Sequence, residues 1–166
     1  MALRNIRTQG DPVLAKKCRP VTDFNARLSQ LLDDLGDTLF ESGGVGLAAP
    51  QVGILRRAVV VLETNVEEGE DETLIELVNP EIIATDGEQT GPEGCLSVPG
   101  VYGIVTRPDY VKVRAQDRDG EYFEVEGTGL TARAFCHELE HLDGHLFLEK
   151  AERILEPEEL ENGEED

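Results

Sequence analysis

His137-Glu138-Leu139-Glu140-His141 is the stretch on which the reading of this chain turns. It lies in a segment that reads as the closing helix, starting near Thr128 or Leu130 and ending near Gly144. Residues four apart share one face of a helix, so both imidazoles can reach one metal ion. Glu138 follows the first histidine directly, where a carboxylate can act on water held at that ion. A hydrolytic site of this kind keeps three protein donors and an open position, so a third donor must come from elsewhere. The chain has three histidines, His137, His141 and His145, so their clustering does not come from abundance.

Outward from this helix, Phe24, Leu28, Leu31, Leu32, Leu35 and Leu39 follow helical spacing. They predict a long N-terminal helix from about Phe24 to Ser42, capped by Thr22 or Asp23 and ended by Gly43-Gly44. Arg57 to Glu63 contains Ala-Val-Val-Val-Leu and reads as a buried strand. Leu74 to Val78 and Glu81 to Thr85 read as short strands broken at Asn79-Pro80. Tyr110 to Ala115 and Glu121 to Glu126 alternate apolar and polar residues around Asp119-Gly120, the pattern of a hairpin. The expected class is α+β, with mostly antiparallel strands packed around the central histidine-bearing helix.

A chain of 166 residues reads as one domain with its own core. No apolar run approaches the roughly 20 residues that span a bilayer, and Met1-Ala2-Leu3-Arg4 lacks the apolar stretch of a secretory signal. The expectation is a soluble, cytoplasmic protein that does not bind membrane. Three cysteines, Cys18, Cys95 and Cys136, argue against a disulfide framework. The formal charge is -20, of which -14 falls in Glu63–Glu76 and Ala151–Asp166. These two segments read as a solvated acidic loop and tail, the tail disordered from 156 to 166 beyond a catalytic domain of residues 1–155. Nothing resembles a basic nucleic-acid footprint.

The third donor has several candidates. In one extended form of the motif a histidine would stand at 147, but Phe147 cannot ligate, and His145 is two residues short. Glu149, Glu152 and Glu156 remain open. Cys95, in Pro92-Glu93-Gly94-Cys95-Leu96-Ser97, lies where a loop or strand end can bring a thiolate to a helix elsewhere. Cys136 neighbours His137, points about 100° away from it, and should miss the metal. Gly43 to Gly53 is either a flexible loop or a backbone kept bare for a substrate chain, with Gln51 able to donate to an oxyanion.

Together, Gly44-Val45-Gly46-Leu47-Ala48-Ala49-Pro50-Gln51, Glu93-Gly94-Cys95-Leu96-Ser97 and His137-Glu138-Leu139-Glu140-His141 resemble the motifs of the peptide deformylase family, in its order and at comparable spacing. The likeness extends from Gly10-Asp11-Pro12-Val13-Leu14 to Gly144 and Phe147. It implies Cys95, His137 and His141 as metal ligands and Glu138 as general base and proton shuttle. Gln51 and the Leu96 N–H would be the oxyanion donors, and Gly44, Val45, Gly46 and Leu47 would line the groove for the substrate backbone. The implied substrates are nascent N-formylmethionyl polypeptides, and the implied product is formate.

Ferrous iron is the implied ion, with zinc, nickel or cobalt able to substitute; affinity alone favours zinc over ferrous iron. A monomer is expected, and the acidic tail suggests contact with basic ribosomal surface. Two positions depart from the family pattern. Cys136 stands where glutamine is usual and Glu140 where aspartate is usual, which puts tuning of the metal in question. Glu93 and Arg107 are candidate ion-pair partners near the site. Two rival readings are an internal metallopeptidase with an acidic third ligand past Phe147, and a non-catalytic metal-binding or ribosome-docking module.

Overall fold

The computed structural model describes residues 3–63 and 73–155. Most of the acidic loop and the whole of the 156–166 tail therefore lie outside the described residues. In chain order the elements are α1 (Ala26–Ser42), β1 (Gly46–Ala48), β2 (Ala58–Glu63), β3 (Thr73–Asp86), β4 (Gln89–Cys95), β5 (Val98–Arg107), β6 (Tyr110–Gln116), β7 (Tyr122–Thr128), α2 (Gly129–Leu142) and β8 (Arg153–Ile154). One antiparallel sheet runs β1-β2-β3-β6-β7, and a smaller one runs β4-β5-β8. The expected α+β class and the hairpin of β6 and β7 are both present. Its turn is held by the Gly120 N–H donating to the Asp117 carbonyl, and by the Asp117 carboxylate accepting from the Asp119 and Glu121 N–H groups.

Strand β2 explains how the core is layered. Val59 and Val61 face α2, where they join Leu77, Val111, Val113, Phe135 and Leu142. Ala58 and Val60 face the other way, against Leu28, Leu31, Leu32, Leu35 and Leu39 of α1. A strand buried on both faces must be continuously apolar, as the Ala-Val-Val-Val-Leu run is. Helix α2 has the large sheet on one side. On the other, a third apolar cluster of Val98, Val105 and Phe147 fills the smaller sheet.

Three expectations need correction. Helix α1 is capped by Asn25, whose side chain accepts from the Leu28 N–H at 3.2 Å, and not by Thr22 or Asp23. Phe24 is instead drawn against the α1 core, which leaves the extended capping position to its neighbour. The Asn79-Pro80 break does not occur, because β3 continues through it. Asn79 takes a left-handed conformation (φ 49) and the register skips between Val78 and Glu81. The missing N–H of Pro80 thus falls in a bulge where no ladder bond is needed. Finally, Gly43–Gly53 is not a flexible loop. It forms β1 and a 3-10 turn, Ala49–Val52.

Candidate active site

Helix α2 carries His137, Glu138 and His141, all buried. The Nε2 atoms of His137 and His141 stand 3.2 Å apart, and the Cys95 sulfur lies 3.3 Å from His141 Nε2. Cys95 arrives at the end of β4. Just beyond it, Leu96 and Ser97 turn the chain into β5, with Cys95 paired to Val98. Among the described residues this is the group whose donors could hold a metal ion, all lying within 4.8 Å of one another. Glu149 pairs instead with His145, and Glu152 accepts from Thr106. Phe147 stacks on the His137 ring, with centroids 5.9 Å apart. Cys136 faces the opposite cavity, lined with Leu139 and Arg57.

The donor set fits a cation. Two imidazole nitrogens and a sulfur converge at distances too short for several protonated groups. Burial lowers the proton affinity of His137, but Glu138, the Cys95 sulfur and Glu93 outweigh it and hold the imidazole well above its ordinary range. His141 is pushed well below that range by burial and by His137 beside it. A divalent ion suits such a set, with one sulfur and two nitrogen donors and a fourth position open.

Glu138 is the other group shaped by burial. Loss of water pushes its carboxyl up to about 7. Among the described residues nothing donates to its Oε1. Its Oε2 lies 2.6 Å from where a Cβ on Gly46 would stand. A Cβ on Gly44 would likewise stand 2.8 Å from the Leu96 side chain. These two glycines are bare because the chain entering β1 passes directly beside the Leu96 side chain at Gly44 and the carboxylate at Gly46. Among the described residues β1 is the edge strand of its sheet, paired to β2 on one side only.

Gly44, Val45 and Gly46 line a cavity of about 490 Å³ together with Gln51, Leu96, Tyr102, His137 and Glu138. Leu47 does not line it. Its side chain is buried in the α1 core, so only its backbone is available to a ligand.

Gln51 is buried and oriented at both ends. Its Oε1 accepts from the Ala48 N–H at 2.8 Å, and its Nε2 donates to Ser97 Oγ at 3.1 Å and points at the Cys95 sulfur at 3.6 Å. Leu96 occupies the first inner position of the Cys95–Val98 turn, where an N–H is not consumed by the turn. Gln51 Nε2 faces the space beside the sulfur.

A charged cluster supports His137 from behind. Its Nδ1 lies 2.8 Å from Glu93 Oε2. Arg107 donates to both oxygens of Glu93 at 3.2 and 2.7 Å, and Arg133 donates to Oε1 at 2.9 Å. Burial opposes ionisation of Glu93, but the bonds from His137 and Arg107 prevail and hold its carboxyl at about 2. Glu140 extends the cluster to Arg107 and Lys150, each at 2.7 Å.

The Glu93–Arg107 pair was legible in the sequence. Arg133 and Ser97 were missed. For Arg133 the available signal was periodicity, since it stands four residues before His137 on the same helix face; for Ser97 local spacing offered none.

Such a fold, with a helix-borne histidine pair, a cysteine from a distant turn and a buried carboxylate between them, defines a metal-dependent hydrolase. Known proteins narrow the class. A family model described as polypeptide deformylase matches residues 3–156. Peptide deformylase of Lachnoclostridium phytofermentans is 58% identical over 150 residues, covering 90% of each chain. The crystal structure of a peptide deformylase from Legionella pneumophila superposes with a TM-score of 0.82 at 40% identity, covering 99% of this chain and 92% of that one. A Met-Ala-Ser-bound class I type b peptide deformylase from Acinetobacter baumannii gives 0.81 at 35% identity, covering 90% and 98%.

The chain belongs to the peptide deformylase family, whose members remove the formyl group from the N-formylmethionine of nascent polypeptides. The internal-peptidase and non-catalytic readings are thereby set aside. No helix among the described residues is long and apolar enough to cross a membrane.

Proposed function

We propose that Glu138, Gln51 and the Leu96 N–H carry the deformylation step, at an ion held by Cys95, His137 and His141. The observation that supports this most directly is the buried carboxylate of Glu138 beside that donor set, its Oε1 without a hydrogen-bond partner among the described residues. When bound, the ion supplies Lewis acidity, acidifying water and polarising the formyl carbonyl. Glu138 takes the proton of the water that attacks the formyl carbon. Gln51 Nε2 and the Leu96 N–H donate to the oxygen as it becomes an oxyanion. Glu138 then passes its proton to the departing amine nitrogen, the C–N bond breaks, and formate and a free N-terminus result. A carboxyl poised near 7 suits both the uptake and the return of the proton.

The bare backbone of Gly44–Gly46, which leads into the edge strand β1, takes the substrate backbone as an added strand. The methionine side chain enters the cavity between β1, α2 and the Cys95 turn. That the Acinetobacter relative was crystallised with Met-Ala-Ser agrees with a peptide lying there.

The test is formate release from a formyl-Met-Ala peptide under anaerobic conditions, with metal measured on the same sample. Glu138→Gln is expected to keep its metal and lose about 10²–10⁴-fold in kcat. A Glu138→Gln enzyme of normal rate would sink the assignment.

Ferrous iron is the ion we propose, on the family resemblance, and metal analysis of anaerobically purified protein decides it. We propose residues 1–155 as the catalytic domain of a cytoplasmic monomer; sedimentation tests the last point. The acidic 156–166 tail is proposed to meet basic ribosomal surface, and unchanged ribosome binding after its deletion would refute that.

A further inference from the structure

The three segments that bear the site are far apart in sequence, yet one stretch of chain touches all of them. The Arg7 N–H donates to the Gln51 carbonyl at 2.6 Å, and the Gln9 N–H donates to the Ser97 carbonyl at 2.8 Å. Further on, the Cys18 N–H donates to the Leu142 carbonyl at the end of α2, also at 2.8 Å. The Ala15 carbonyl sits 2.6 Å from where a Cβ on Gly144 would stand, so the strap presses directly on the backbone after α2. The strap is itself anchored. Asp11 caps the 3-10 turn Pro12–Ala15 by accepting from the Val13 N–H at 3.0 Å, and Leu14 is buried.

We infer that the strap from Arg7 to Cys18 is a positioning element for the oxyanion donors, with the Gln9 N–H its contact to the turn that presents Leu96. The inference rests on the reading of Gln51 and Leu96 as those donors. Gln51 stands in a single 3-10 turn, and Leu96 in a two-residue strand turn. Such short pieces have few internal bonds to fix them. Oxyanion stabilisation depends on donors held within tenths of an ångström of the developing charge, so the two turns need a common reference. The Gln51 Nε2–Ser97 Oγ bond joins them on the site side. The strap joins them from behind, through Gln51 and Ser97 again, using backbone atoms that do not depend on side-chain rotamers. Its bond at Leu142 and contact at Gly144 refer both turns to the helix that carries Glu138.

Cys18 makes the test practicable. A synthetic 1–17 thioester can be joined by native chemical ligation to recombinant Cys18–Asp166, giving the full chain with one backbone amide replaced by an ester. An ester at Gln9 deletes the N–H that meets Ser97. An ester at Lys16 deletes a bond internal to the strap, to the Val13 carbonyl at 3.3 Å, and serves as control. With metal content matched, the Gln9 ester is expected to lower kcat about tenfold with KM within about twofold, the pattern of an interaction felt only in the transition state. The Lys16 ester should leave both unchanged.

Equal loss in both esters, tracking a shared fall in Tm, would show a merely structural strap and overturn the inference. So would an unchanged kcat in the Gln9 ester while Gln51→Ala is impaired. If Gln51→Ala itself keeps full kcat, the oxyanion reading fails first and takes the inference with it.

Discussion

A side chain as small as a methyl on Gly46 would meet Glu138 Oε2 at 2.6 Å, closer than real Cβ atoms approach a neighbour. Gly46→Ala must therefore displace the carboxylate from the site. A shift of that size is expected to cost roughly 10²-fold in kcat, with metal content and far-UV circular dichroism unchanged. Normal turnover in this variant would mean that Glu138 works from another position.

Glu93 makes a second prediction at this scale. Its carboxyl is held at about 2, against an ordinary value of 4.5. A lowered folded value means that the carboxylate form stabilises the fold. That contribution is complete above pH 4.5 and is lost as pH falls toward 2. Urea titrations over this window should show stability falling with acid by about 3 kcal/mol from this group. Glu93→Gln should flatten that slope while lowering stability at neutral pH, since Arg107 and Arg133 would lose a buried charge partner.

Among the elements, β3 shows how a local rule is overridden. Asn-Pro reads as a strand break, and by local chemistry that is sound. Asn79 escapes it by making its side chain a hub. The amide donates to the Val21 carbonyl at 2.9 Å and to Gln116 at 2.8 Å, and its oxygen accepts from the Val21 N–H at 2.7 Å. These bonds join the approach to α1, the strand and the hairpin at one point. Asn79→Ala loses all three and places alanine at positive φ, so a destabilisation of about 2–3 kcal/mol is expected in urea unfolding. Asn79→Gly should recover only the backbone part of that loss. The same logic explains why β4 and β5 were not anticipated. Their sequence is rich in glycine and proline, and their apolar residues meet Phe147 from a distant part of the chain.

For the molecule as a whole, the candidate metal cluster lies where the parts meet. Cys95 ends a strand of the smaller sheet, while His137 and His141 belong to the helix packed on the larger one. An ion held by all three would tie the sheets together and would be bound only by the folded chain. Chelation under anaerobic conditions is expected to lower Tm, on the order of 10 °C for a tightly held ion. Cys95→Ala should melt at one temperature with or without chelator. Equal melting of native protein in both conditions would rule out the tie.

Local sequence determined whatever repeats at short range. The spacing of leucines in α1, the apolar run of β2, the alternation in β6 and β7, and the pairing of His137 with His141 all follow from periodicities of backbone geometry. Those features were legible because a helix or strand presents its faces at fixed intervals, whatever surrounds it. The identity of the third donor was different. Cys95 was the better candidate from its glycine- and proline-flanked segment and then from resemblance, but spacing along the chain still left Glu149 open. Only the tertiary structure brings the Cys95 sulfur to 3.3 Å from His141 and turns Glu149 toward His145. It alone decides that Arg133 and Arg107 share Glu93, and that a strap near the N-terminus touches Gln51, Ser97 and Leu142. The reason is physical: these contacts join residues tens of positions apart, and their partners are selected by how two sheets and a helix pack.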